Sequence, residues 1–177
     1  QVHSDQFGEA SCSFLNEQAK ARLGKEPKDL RVAVIYEDGP YGSGVAAGNE
    51  SACKGFGMQV VLKEGYAATS PDLSPLVTKL RRARADVILH TGYNPDITLF
   101  MRQAKEQGLK WSALIGHGAG YGVPDKLRAA LKGVAGVTTQ SVKVGSAAIN
   151  ADDAGFNAAC AALGGAGFKV RAAQATA

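Results

Sequence analysis

Tyr41 and Tyr93 each stand where an apolar run gives way to a helix start, and this repeated placement is the strongest chemical signal in the chain. The first lies in Arg31-Val-Ala-Val-Ile-Tyr-Glu-Asp-Gly-Pro-Tyr41-Gly-Ser-Gly44 and the second in Asp86-Val-Ile-Leu-His-Thr-Gly-Tyr93-Asn-Pro-Asp96. A tyrosine ring offers an apolar face and its hydroxyl a hydrogen bond. A helix N-terminus offers backbone N–H groups and partial positive charge, which suit an anion such as a carboxylate. With Gly42 and Asn94 beside them, the tyrosines predict an aromatic-walled pocket for a small, partly charged molecule. The loop Gly116-His-Gly-Ala-Gly-Tyr121-Gly adds His117, Gly118 and Tyr121 as further candidate lining.

Other chemistries find less support. Gly42-Ser43-Gly44 precedes a helix, yet the third glycine of a dinucleotide fingerprint comes one place late, at Gly48. The loop also starts well past the strand, although Glu64 sits near the place of a ribose-binding acid. His3, His90 and His117 are far apart and lack metal-ligand spacing, and His90 reads as a core or sheet-face residue. No Gly-x-Ser-x-Gly elbow occurs, and capping explains Asp38, Asp72 and Asp96 without catalysis. The expectation is a binding protein, not an enzyme, with neither cofactor nor metal.

The elements that position these residues can be read from periodicity and punctuation. Residues 7–23 predict a helix stopped by Gly24, and residues 31–36 a strand apolar enough to be buried on both faces. A helix over 43–56 and a strand over 58–63 follow. Leu73, Leu76, Val77 and Leu80 form a helical stripe behind Asp72 or Ser74 as N-cap. A strand over 86–91 leads to a helix with Asn94 as N-cap, Pro95 in its first turn and Gly108 past its end. A strand over 112–116, a short helix over 124–131 and a strand over 134–142 complete the alternation. Repeated strand–helix units of this kind imply an α/β fold with a doubly wound parallel sheet in three α/β/α layers. Such sheets bind ligands outside the carboxyl ends of their strands, where both tyrosines fall.

Composition bounds the classes. The chain has 177 residues, 45% hydrophobic and 20% charged, as in an ordinary globular domain. Its net charge of +4 is scattered, apart from Arg81-Arg82-Ala83-Arg84 at a helix end, so no nucleic-acid surface is expected. No apolar run approaches the ~20 residues needed to cross a bilayer, and Gln1-Val-His-Ser-Asp5 has no signal-peptide character. Cys12, Cys53 and Cys160 leave one thiol unpaired. Cys12 and Cys53 fall on predicted helices that an oxidising compartment could bridge, but buried free thiols are the favoured reading. Residues 1–143 read as the α/β unit, and 144–177 as an Ala/Gly-rich, weakly ordered segment with one helix over 152–163.

Four motifs carry a family resemblance: Tyr-Gly-x-Gly at 41–44, Asp-Leu-Ser at 72–74, Gly-Tyr-x-Pro at 92–95 and Arg-Gln-Ala-x-x-x-Gly-Leu at 102–109. Over residues 1–143 the chain resembles the leucine/isoleucine/valine-type solute-binding proteins of ABC transporters, the type I periplasmic binding proteins. That resemblance implies a bilobed clamp of which this chain is similar to the second lobe only. The first lobe, which meets the amino-acid carboxylate, is the missing partner. It further implies a membrane ABC permease as partner and a periplasmic or otherwise extracytoplasmic location. Tyr41 and Tyr93 match the family's two second-lobe ligand tyrosines. Amino-acid binders carry an acid at the position of Gly118 to receive the ammonium group, and this loop has none. The expected solute is therefore an amino-acid-like molecule, an aromatic or aliphatic carboxylate, or an amide, rather than leucine. Two alternatives stand: a sensor domain of the same fold, and an enzyme domain that binds a nucleotide cofactor.

Overall fold

The apolar runs ending in Tyr36 and Thr91 need cover on both faces, and helices from either side supply it. The computed structural model describes residues 4–117 and Tyr121. In chain order these form α1 (Ser4–Gln18) with a wider π turn at Ala19–Leu23, β1 (Arg31–Glu37), α2 (Pro40–Gly55), β2 (Gln59–Tyr66), α3 (Ser74–Ala83), β3 (Val87–Thr91), α4 (Asn94–Glu106) and β4 (Ala113–His117). The strands are parallel in the order β2-β1-β3-β4. Val32, Val34, Val87 and Leu89 pack with Leu15 of α1 and Ala46 of α2. Their neighbours Ala33, Ile35 and Ile88 pack on the other face with Leu76, Val77 and Leu80 of α3 and Ile97, Phe100 and Met101 of α4. Side chains alternate across a strand, so this is the three-layer α/β/α arrangement the apolar runs imply.

The order of the strands fixes where a ligand can sit. From β1 the chain turns into α2 on one face, whereas from β3 it turns into α4 on the other. The two loops thus leave adjacent carboxyl ends toward opposite faces, which makes this the topological switch point of the sheet, where ligands bind in folds of this kind. Tyr36 of β1 pairs in register with Thr91 of β3, so the ends of both strands are level there.

Several element boundaries differ from the sequence expectation. Helix α2 begins at Pro40 rather than near residue 43, because proline's fixed φ suits a first turn and its missing N–H costs nothing there. Strand β2 runs on to Tyr66, which is buried and pairs with Glu37. The N-cap of α4 is Tyr93, and Asn94 is already helical. The N-cap of α3 is Leu73, with Asp72 Oδ1 accepting the Ser74 N–H at 2.9 Å.

The free-thiol expectation is overturned. Cys12 of α1 and Cys53 of α2 form a disulfide, with Cα atoms 5.0 Å apart. Both helices lie on the same face, and a tight crossing brings the residues together. The helix over 124–131, the strand over 134–142, the segment 144–177, Cys160 and Gly118 lie outside the described residues. Among those described, no helix is long and apolar enough to cross a membrane.

Candidate functional site

Tyr41 sits in the first turn of α2 and Tyr93 caps α4, and the fold brings them together. Their ring centroids are 6.3 Å apart with the planes tilted by 44°. Tyr93 is 41% exposed. Gly42 lies against the end of β1, where a Cβ would collide with the Glu37 carbonyl oxygen. Its absent side chain lets α2 start directly above the strand. Asn94, half-buried in the opening turn of α4, follows Tyr93 at the same rim.

The helix starts do not offer the open anion site that their position suggests. Glu37 is buried, and its two carboxylate oxygens accept the N–H groups of Gly39 at 2.7 Å and Gly42 at 2.6 Å. Asp96, equally buried, accepts the Tyr93 N–H at 2.9 Å. Pro40 and Pro95 remove one further donor from each first turn. Each helix dipole thus already faces a carboxylate of its own chain. What this rim presents to a ligand is aromatic surface, hydroxyls and the Asn94 amide. The same geometry argues against a nucleotide, since a diphosphate would need the donors that Glu37 has taken and would meet its negative charge.

The third candidate group is placed differently from the expectation. His117 is the last residue of β4, not a loop residue, and is only 3% exposed. Its Nε2 lies 2.8 Å from Ser11 Oγ of α1, and its Nδ1 lies 3.1 Å from Thr91 Oγ1 and 3.2 Å from the His90 carbonyl oxygen. A carbonyl can only accept, so Nδ1 carries the proton and Ser11 donates to Nε2. His117 thereby ties α1 to the sheet. Tyr121 is also buried, with its ring over Gly116, where a Cβ would overlap it. Its hydroxyl lies 2.6 Å from His90 Nδ1.

His90 proves to be the centre of a buried polar cluster. Its Nε2 lies 2.7 Å from the Tyr66 hydroxyl, which donates to Asp96 Oδ2 at 2.7 Å. Gly92 belongs to the same cluster, because a Cβ there would come within 2.5 Å of both the Tyr66 hydroxyl and Asp96 Oδ2. Burial drives the His90 pKa down to about 3, helped by the nearby His117, and burial holds His117 at about 4 against the bond to the His90 carbonyl. Burial and the adjacent Asp96 raise the Tyr66 hydroxyl far above its ordinary value, and burial does the same for Tyr121. Sequence reasoning missed Tyr66, Glu37 and Gly92 as members of this region. The available signal was an ionisable or hydroxyl side chain closing each apolar run, where a sheet end must satisfy loop N–H groups. Among the described residues, no three His, Cys, Asp or Glu side chains gather to hold a metal.

With this geometry in place, comparison with known proteins is decisive. A family model described as periplasmic binding protein matches residues 14–175. The chain belongs to the periplasmic binding protein family. Leu/Ile/Val-binding protein homolog 7 of Brucella suis biovar 1 (strain 1330) is 44% identical over 115 residues, 65% of this chain and 29% of the relative. Homolog 8 of Brucella abortus (strain 2308) is 48% identical over 99 residues, 56% of this chain and 25% of that protein. The chain therefore spans under a third of the curated relatives it matches. Among solved structures, a putative branched-chain amino acid ABC transporter protein from Silicibacter pomeroyi aligns with TM-score 0.60 at 24% identity, over 72% of this chain and 31% of that one. A solute-binding protein from R. palustris, solved with 4-hydroxybenzoate, aligns with TM-score 0.53 at 18% identity, over 68% of this chain and 32% of that one. These likenesses establish the fold, that of a single lobe of a type I periplasmic binding protein.

Proposed function

We propose that this chain is the second lobe of an extracytoplasmic solute-binding protein that delivers its ligand to an ABC permease. The solute is held between this lobe and a first lobe that lies outside the chain. The observation that carries the reading is the Tyr41–Tyr93 pair, partly exposed, at the point where the sheet's winding reverses. Because Glu37 and Asp96 occupy the nearby helix starts, this wall takes the apolar or aromatic body of the solute. A carboxylate head would be met from beyond it. Gly42 and Asn94 complete the rim, while His117 and Tyr121 support it from below; Gly118, the remaining sequence candidate, lies outside the described residues. The lobe is not catalytic in this reading. The Cys12–Cys53 bridge supports an oxidising, periplasmic or otherwise extracytoplasmic setting, since disulfides rarely persist in a reducing cytosol.

The nucleotide-enzyme alternative is disfavoured by Glu37, and the sensor alternative shares the same pocket. Titration of the ¹⁵N-labelled chain with benzoate, leucine and NAD separates solute binding from the nucleotide reading. Benzoate should shift the Tyr41, Tyr93 and Asn94 amides at millimolar concentration, whereas NAD should leave them unchanged. Saturable NAD shifts centred on Gly39 to Gly44 would replace this reading with the nucleotide one.

A further inference from the structure

Below the tyrosine pair, four buried side chains from four different segments join end to end. The Tyr121 hydroxyl meets His90 Nδ1 at 2.6 Å, His90 Nε2 meets the Tyr66 hydroxyl at 2.7 Å, and Tyr66 meets Asp96 Oδ2 at 2.7 Å. The other oxygen of Asp96 accepts the Tyr93 N–H at 2.9 Å. The direction of every proton in this series is determined. Asp96 is an acceptor at both oxygens, so the Tyr66 hydroxyl must give its only proton to it. Tyr66 then accepts from His90, which places the histidine proton on Nε2. His90 Nδ1 is left as an acceptor, and Tyr121 must donate to it. His90 is fully buried, and its ring is further held edge-on by Phe100, with centroids 4.8 Å apart. With Asp96 accepting at both oxygens, no other pairing among these four described side chains satisfies all of their polar atoms.

We infer that Tyr121, His90, Tyr66 and Asp96 form one directional hydrogen-bond relay that ties Tyr121 to the start of α4 and so positions Tyr93 for the solute. They are positioning residues and need not touch the ligand. This inference rests on the pocket reading for its functional meaning, but the relay itself is testable without any ligand. Three packing features point the same way. Gly92 has no side chain where one would break the Tyr66–Asp96 bond, Gly116 has none where one would displace the Tyr121 ring, and Asp96 both ends the relay and caps the helix. A displacement of Tyr121 would withdraw the donor from His90 and loosen each later bond in turn, because such networks polarise and support one another.

The test reads the His90 ring nitrogens by long-range ¹H–¹⁵N correlation in the intact 177-residue chain. Wild type should show the proton on Nε2. Asp96→Asn should reverse the relay. The Tyr93 N–H can only donate, so it takes the amide oxygen, and the amide NH₂ turns to Tyr66. Tyr66 must then donate to His90 Nε2, and the proton moves to Nδ1. A wild-type proton on Nδ1, or a tautomer unchanged in Asp96→Asn, overturns the inference.

Should that variant fail to fold, Tyr66→Phe and Tyr121→Phe keep the ring volumes and carry the test. Each should speed hydrogen exchange at the Tyr93 amide by roughly three- to tenfold. The double variant should be no faster than Tyr66→Phe alone, since the relay is already cut. Independent, additive effects would mean packing rather than a relay, and unchanged exchange at Tyr93 would also defeat it. Benzoate titration of wild type reports separately on the pocket, so failure of one reading is distinguishable from failure of the other.

Discussion

His90 and His117 share a sheet end yet hold opposite tautomers, each dictated by a neighbour that can act in one sense only. For His90 that neighbour is Tyr66, committed to Asp96, and for His117 it is the His90 carbonyl. The groups facing them are Tyr66, Tyr121 and Asp96 around His90, and Ser11 and Thr91 around His117. Both imidazoles are neutral in the fold, with pKa values of about 3 and about 4 against an ordinary 6.5. The unfolded chain therefore binds protons first as pH falls, and stability declines from pH 6.5 downward until the folded values are passed. At pH 5 each histidine should cost about 2 kcal/mol relative to neutral pH. Urea unfolding at pH 7 and pH 5 checks this, and His117→Gln should lose about half of the difference attributed to the pair. Equal stability at both pH values would show that the rings protonate without unfolding.

At the scale of elements, α1 is the piece held by the most varied means. Cys12 is bridged to Cys53 of α2, Ser11 donates to His117, and Gly8 lies against the backbone of Gly48 and Asn49. A Cβ at Gly8 would overlap α2 main-chain atoms, which cannot step aside as a flexible side chain would. Gly8→Ala gains up to about 1 kcal/mol of helix propensity, but the overlap should outweigh it and cost about 1–3 kcal/mol net. A lower midpoint in thermal or urea unfolding is the expected result, and a rise would mean that α1 can move off α2. The Cys12–Cys53 bridge stood in the sequence only as the less favoured alternative, and the other contacts of α1 were not legible there. Glycines within α1 and α2 read only as weak helix formers, because a helix crossing depends on two segments separated along the chain. Strands β1 and β3, by contrast, were legible because Val32 to Ile35 and Val87 to Leu89 are apolar without interruption. The α4 start was recognisable from Asn94-Pro95 but shifted by a residue, since Asp96 reaches back to cap Tyr93.

For the molecule as a whole, the sequence placed both tyrosines beyond the carboxyl ends of β1 and β3, where the structure has them, but misjudged what surrounds them. Free helix N-termini were expected, yet Glu37 takes the Gly39 and Gly42 N–H groups and Asp96 takes that of Tyr93, a fact set by side-chain reach that no spacing rule conveys. The consequence falls on ligand selection. Among the described residues an anion gains little at these two helix starts, and a buried ammonium would need a carboxylate that is not already engaged by N–H groups. Both considerations favour a solute that turns an aromatic or apolar body toward Tyr41 and Tyr93. One wall alone leaves most of that body in water, so the chain by itself should bind benzoate or leucine more weakly than about 1 µM. In a two-lobe protein built on this chain, calorimetry should find aromatic carboxylates bound more tightly than leucine. Tyr41→Ala or Tyr93→Ala there should weaken the preferred solute by roughly 1–4 kcal/mol with the fold intact. If leucine wins that comparison, its ammonium must have a partner outside the Glu37 and Asp96 caps, and the aromatic wall is not what selects the solute.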